Sequence, residues 1–235
     1  DLSSSLLIGK NGSGKSSVGR ALEILKSAAQ GQNKVGELIR STDLAWGRTE
    51  SPARFEVEVV LDSVNYRYAL ALELSKNSRE LKVQHESLHR DGNIVFTREE
   101  ATVQIPPHPG GRDASFRVDE HSVALSVISD KPGDDSIECL RRWLANMLVL
   151  APVPSLVSGS SQGTTVWPDR ELRDFGKWFT GLSSQWPATY AHLASFVAKP
   201  LPEFSSMVNI PYSQDSRSLF VKFKHGSMPD LAFQD

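Results

Sequence analysis

The sequence predicts a mixed α/β fold, on three observations. A short apolar run leads into a glycine-rich loop and then into a helix with one apolar face. From residue 55 to about 120 the hydrophobic period falls to two, the spacing of half-buried strands. Beyond residue 131 helical spacing returns, followed by two short alternating runs near the end. These observations divide the chain into a strand–loop–helix opening over 1–54, an antiparallel β subdomain over 55–130, a helical lobe over 131–200 and closing strands over 201–235.

The opening rests on Leu6-Leu7-Ile8, which reads as a buried parallel strand ending at Gly9. From Ser16, Val18, Ala21, Leu22, Leu25 and Ala28 recur at three- and four-residue steps, and Gly31 to Asn33 end the helix. Residues 41–53, with Trp46 and Pro52, read as a loop. Phe55, Val57, Val59 and Leu61 then alternate with polar neighbours, and Tyr66, Tyr68, Leu70, Leu72 and Leu74 repeat the pattern after a four-residue turn at 62–65. A second hairpin joins 81–88 to 94–97 through Asp91-Gly92, and weaker strands follow at 102–105 and 115–119. In the lobe, Asp134-Asp135-Ser136 offer helix caps ahead of an apolar stripe of Ile137, Leu140, Trp143, Leu144 and Leu148. Residues 158–165 read as a flexible loop. Asp169 is expected to cap a helix reaching Leu182, and a further helix covers 188–198. Val208 to Ile210 and Leu219, Val221 and Phe223 close the chain as strands.

Composition narrows the function classes. With 26 Lys and Arg against 28 Asp and Glu, the protein is not a polycation that holds nucleic acid by bulk charge. The single cysteine, Cys139, excludes a disulfide scaffold and a cysteine zinc cluster, and fits a reducing, cytoplasmic setting. No apolar run approaches the ~20 residues of a membrane-spanning helix.

Gly9-Lys10-Asn11-Gly12-Ser13-Gly14-Lys15-Ser16 fits G-x-x-x-x-G-K-[ST], a pattern that binds the phosphates of a nucleotide. Polyphosphate needs many donors and a close backbone approach. Gly12 and Gly14 permit that approach, and successive N–H groups with the helix N-terminus make an anion nest. Lys15 would reach the β- and γ-phosphates, Ser16 would hold Mg²⁺ and Ser17 would donate to the α-phosphate. The cofactor-binding set is thus Gly9, Asn11, Gly12, Ser13, Gly14, Lys15, Ser16 and Ser17, with Lys15 the catalytic candidate and Ser16 the metal ligand. A chance glycine-rich turn is the rival reading, and the strand before and helix after speak against it.

The stretch Leu6 to Ser17, with its Asn11-Gly12-Ser13-Gly14 core, resembles the opening of ABC-type P-loop ATPases of the SMC-like, RecF and OLD group. That group includes the "AAA family" ATPases of bacterial anti-phage systems such as Septu (PtuA) and retron-associated ATPases. The resemblance implies a P-loop NTPase head with an inserted antiparallel β subdomain and a helical lobe. It further implies ATP and Mg²⁺ as cofactors, hydrolysis at a composite site, and ATP-stabilised dimers that control DNA or an effector nuclease. The family's signature loop, its apolar strand ending in Asp-Glu and its switch histidine have no match here. Leu231 to Asp235 resembles the lead-in to the signature loop, so the chain reads as a fragment lacking the C-terminal half of the head. Val59-Val60-Leu61-Asp62 imitates the apolar strand with its aspartate, but Glu58 and the alternation mark a half-solvated strand instead. Gln104 and Gln162 are the candidates by position for the bridging glutamine, and neither stands out.

Other residues have plainer readings. His85 and His89 on one strand lie ~13 Å apart, too far to share a metal. Asp119-Glu120-His121 reads as a solvated loop rather than an acid–base cluster. Arg141, Arg142, Arg170 and Arg173 alternate with Glu138, Asp169, Glu171 and Asp174, a mixed charged face rather than a nucleic-acid patch. Trp143, Trp178, Phe179 and Cys139 read as core. The expected function is an ATP-hydrolysing head. The rivals are a nucleotide-gated scaffold that sequesters an effector with little turnover, and a P-loop kinase, which the intervening β subdomain disfavours.

Overall fold

The computed structural model of the protein describes residues 5–40, 43–44, 51–75, 80–107, 113–130, 133–213, 215–224 and 231–232. They form two compact units, Asp1–Leu148 and Val149–Asp235. The boundary falls inside the stretch 131–200 that was expected to be a single helical lobe.

In the first unit, helix α1 spans Lys15–Ala29 and buries Ile24, Leu25, Ala28 and Ala29. The buried stripe lies in the C-terminal half, and Val18, expected on it, is exposed. Gly31, at φ 97°, ends the helix: its N–H reaches Ala28 O at 3.1 Å and the next N–H reaches Ser27 O at 3.1 Å. This left-handed stop is the usual reason for a glycine there. A one-turn helix α2, Val35–Leu38, follows and buries Val35 and Leu38; the sequence pattern had not indicated it.

Six strands then form an antiparallel meander in the order β1-β2-β3-β4-β5-β6: Ala53–Leu61, Val64–Leu74, Leu81–Arg90, Asn93–Glu99, Thr102–Ile105 and Ala114–Arg117. In β1 the alternation is regular, with Phe55, Val57 and Val59 turned to the core and Glu56 and Glu58 outward. The first turn is tighter than expected, because Leu61 pairs with Val64 and only Asp62 and Ser63, at φ 48° and 67°, are left to turn. Asp91 and Gly92 repeat that geometry, at φ 48° and 79°. Two positive φ values match the twist of the flanking strands. Between Ala71 and Leu72 the pairing of β2 with β3 slips, since Ala71 faces His85 and Leu72 faces Val83. Gln84 is the extra residue, and beyond it the inward positions of β3 pass from odd to even numbers.

That slip turns Glu86 into the core. Glu86 accepts the N–H groups of Ala124 and Leu125 at 2.7 Å each and the Tyr68 hydroxyl at 2.9 Å. Arg98, fully buried beside it, lies 3.6 Å from the carboxylate and donates to the carbonyls of Glu100, Ser122 and Asp119. Burial pushes Glu86 up and Arg98 down from their ordinary values, while each one's opposite charge works against the shift. The pair pins the segment 119–125 to the sheet. That segment in turn bonds to the chain just after α1, through Val35 N–H to His121 O and Val123 N–H to Asn33 O, at 2.9 and 2.8 Å. A 3-10 turn at Ala124–Ser126 and helix α3, Ser136–Ala145, pack on α1. The N-terminus of α3 is capped mainly by a residue outside the expected set: Asp130 accepts from Ile137 and Glu138 N–H at 2.7 Å, and Asp134 from Ser136 N–H at 3.0 Å.

The second unit contains β7, Ser160–Gln162, helices α4, Phe175–Gln185, and α5, Pro187–Val197, and strands β8, β9 and β10 at Phe204–Pro211, Ser216–Phe223 and Leu231–Ala232. Strand β9 is antiparallel to β7, β8 and β10. Two expectations are corrected. The supposed loop at 158–165 contains β7. The helix expected from Asp169 begins at Phe175, because Asp169 instead accepts from Arg173 N–H at 2.8 Å in a turn where Leu172 takes φ 60°. Close packing demands Gly176, where a Cβ would lie 2.4 Å from Gly159 O. Phe179 stacks edge-on to Tyr190 at 5.7 Å, and the Tyr190 hydroxyl links α5 to the backbone of Met207.

Candidate functional site

The glycine-rich stretch folds as an exposed loop over 9–14 that feeds directly into α1. Gly12 and Gly14 adopt φ 80° and 89°, a region that costs a side-chain-bearing residue strain. A Cβ at Gly9 would sit 2.6 Å from Ser13 Oγ, so a side chain there would make the Ser13 hydroxyl turn away. Gly14 precedes the helix without a side-chain cap, and the first turn carries no acidic residue. The positive end of the helix and its free N–H groups are therefore uncompensated from within the loop. Lys15 folds back across it, with Nζ donating to Gly9 O at 2.7 Å and Lys10 O at 2.8 Å. Ser16 and Ser17 occupy the first turn beside it, and Ser17 N–H bonds to Gly14 O at 3.0 Å.

All eight expected binding residues thus lie in one continuous loop and helix turn, and the donor set fits a polyphosphate. They supply backbone N–H groups, one ammonium and three hydroxyls, with no carboxylate among them. The expected strand ahead of the loop does not form. Leu6, Leu7 and Ile8 are 85%, 61% and 81% exposed. A parallel strand is built only against neighbours, and among the described residues no segment pairs with it.

The remaining candidates take structural roles. Asp62 sits in the exposed β1–β2 turn. Gln104 is exposed on β5 in the first unit, and Gln162 lies on β7 in the second. His85 Nδ1 is 2.8 Å from Glu99. Arg141 pairs with Glu138 and Arg173 with Glu171. Trp46, His108 and His225 lie outside the described residues. Cys139 and Trp143 pack against the first unit's core.

Asp119 holds Lys34 at 2.6 Å and accepts from His121 N–H at 3.0 Å. The Lys34 ammonium, aided by that N–H, holds its carboxyl down at about 2. A depressed value contributes stability that is present above the ordinary value of 3.8 and is lost as pH falls toward about 2. Both side chains are about half exposed, so the contribution is expected to stay under ~1 kcal/mol. Thermal unfolding between pH 5 and pH 2 should show a shallower loss for Asp119→Asn than for the wild type; parallel curves would remove the pair from the account.

Residues 4–153, more than half of the chain, match the family described as "AAA domain, putative AbiEii toxin, Type IV TA system". No curated protein and no solved structure matches the chain. No described helix is long and apolar enough to cross a membrane.

Proposed function

The chain belongs to that AAA-domain family, and from that premise we propose that it is the nucleotide-binding part of a cytoplasmic ATPase of the SMC-like, defence-associated kind. The observation that carries the reading is the glycine-rich loop with Lys15 folded over it at the uncompensated N-terminus of α1. ATP would seat its phosphates on the N–H groups of 9–15. Lys15 would leave the carbonyls of Gly9 and Lys10 for the β- and γ-phosphates. Ser16 would hold Mg²⁺, and Ser17 would donate to the α-phosphate. Bound Mg²⁺ would neutralise phosphate charge, and the chain's own residues would position the nucleotide.

The γ-phosphate side of the loop is open to solvent, since residues 9–14 are all exposed. A second copy closing over that side would make ATP the link between two heads, controlling DNA or an effector nuclease. Sedimentation of the protein with and without a non-hydrolysable ATP analogue tests this. The expected result is a dimer with the analogue and a smaller mass without it, the dimer being weakened by Ser16→Ala only when Mg²⁺ is present. The same mass in every condition would remove ATP as the link. Tight ATP binding without phosphate release would favour the nucleotide-gated scaffold.

A further inference from the structure

One face of α1 continues from the loop into a cavity of about 380 Å³. That is within the ~300–1,000 Å³ span of ordinary small-ligand pockets. It is lined by Ser17, Arg20 and Ala21 of α1, by Asp43 and Leu44 beyond α2, and by Phe55 of β1. Ser17, Arg20 and Ala21 fall on one side of the helix at steps of three and four. The cavity therefore begins at the residue expected against the α-phosphate and extends two turns, about 10 Å, along the helix to Ile24. The next parts of a nucleotide beyond its α-phosphate are the ribose and the base.

The polar groups of the cavity are unequally occupied. Arg20 Nη2 donates to Leu38 O at 3.1 Å and to Asp43 Oδ2 at 3.4 Å. The same Oδ2 accepts the N–H of Arg40 at 3.1 Å. Asp43 Oδ1 has no partner among the described residues. The Arg40 N–H, with the Arg20 guanidinium, holds this carboxyl below its ordinary value, so it is an ionised acceptor at neutral pH. One oxygen is filled twice and one is open.

We infer that this cavity receives the base of the bound nucleotide and that Asp43 Oδ1 accepts a hydrogen bond from the exocyclic amine of adenine. The inference rests on the phosphates being seated at 9–17 as proposed above. Adenine suits the cavity on two grounds. Its flat ring covers Ala21, Leu44 and Phe55, and its single exocyclic amine meets the single open carboxylate oxygen. Guanine instead carries N1–H, its one amine on C2 and a carbonyl on C6. A carboxylate reads guanine best with both oxygens, and here one is already committed to Arg20 and Arg40. A guanine ring in these apolar walls would leave buried polar groups unpaired.

Calorimetric titration of the purified protein with ATP, GTP and inorganic tripolyphosphate, each with Mg²⁺, separates base from phosphate binding. The wild type is expected to bind ATP about tenfold more tightly than either of the others. Asp43→Ala should bring ATP to the level of GTP and leave tripolyphosphate unchanged. Ala21→Trp, which fills the cavity from the helix while leaving residues 9–17 unchanged, should bring ATP down to tripolyphosphate. Equal binding of ATP and tripolyphosphate by the wild type, or an unchanged ATP affinity in Ala21→Trp, would overturn the base site while leaving the phosphate loop intact. GTP binding as tight as ATP binding would overturn the role of Asp43. If none of the three ligands binds, the phosphate-loop reading falls together with the base site.

Discussion

Lys15→Ala is expected to weaken ATP binding by at least about a hundredfold while leaving the fold in place. In the free protein Lys15 is tied to Gly9 O, Lys10 O and, at 3.5 Å, Ser13 Oγ, all on an exposed loop. Removing the ammonium leaves these acceptors to water, so little stability is lost. In the proposed nucleotide-bound state the same ammonium would face the phosphate charges. A charge-assisted bond of that kind contributes about 3 kcal/mol or more, two decades in Kd. Lys10 is the natural control. It belongs to the same loop, but its side chain is not drawn across the nest, and Lys10→Ala should change ATP affinity by less than about tenfold. Titration with ATP, paired with circular dichroism on both variants, decides the matter. Tight ATP binding by a folded Lys15→Ala protein would show that the loop does not serve phosphate.

Glu86→Ala is expected to cost about 3–5 kcal/mol of stability, the usual penalty for stranding one partner of a buried ion pair. Glu86 and Arg98 have no exposed side-chain surface. Without the carboxylate, the guanidinium keeps its three carbonyl partners but loses its counter-charge. The N–H groups of Ala124 and Leu125 and the Tyr68 hydroxyl lose their acceptor at the same time. The Glu86→Ala, Arg98→Met double variant should be less destabilised than the sum of the two single variants, since neither charge is then left alone. Urea unfolding of the three variants provides the comparison. A loss below about 1 kcal/mol in Glu86→Ala would mean that water enters and replaces the carboxylate. The consequence reaches the C-terminal end of α1, because the pinned segment 119–125 bonds to Asn33 and Val35 just after that helix.

What could be read from the chain alone depended on the distance over which each interaction acts. The glycine-rich loop was legible because its chemistry is contiguous: the residues from Gly9 to Ser17 fold on one another, and glycine is favoured at 12 and 14 by their own backbone angles. Strands β1 to β4 were legible for the same reason, since alternation with Asp91-Gly92 at a turn is a local pattern. The cavity beside α1 was not legible. Arg20, Asp43 and Phe55 belong to a helix, a loop and a strand, and no spacing in the sequence links them.

The chain by itself determined the phosphate loop, the helix after it and the antiparallel character of the sheet, because these follow from dihedral preferences and from periods of two and 3.6. Only the tertiary structure decided the rest. Strict alternation from Leu81 and Val83 would have turned His85 inward and Glu86 to solvent. The extra residue Gln84, accommodated against Ala71 and Leu72, reverses that parity and places a carboxylate in the core. Arg98, Tyr68 and the N–H groups of Ala124 and Leu125 make the position tolerable. Leu6-Leu7-Ile8 shows the converse: the run has a strand's composition and yet stays exposed and pairs with no described segment, because β-structure forms only when a second segment supplies the other half of each hydrogen bond.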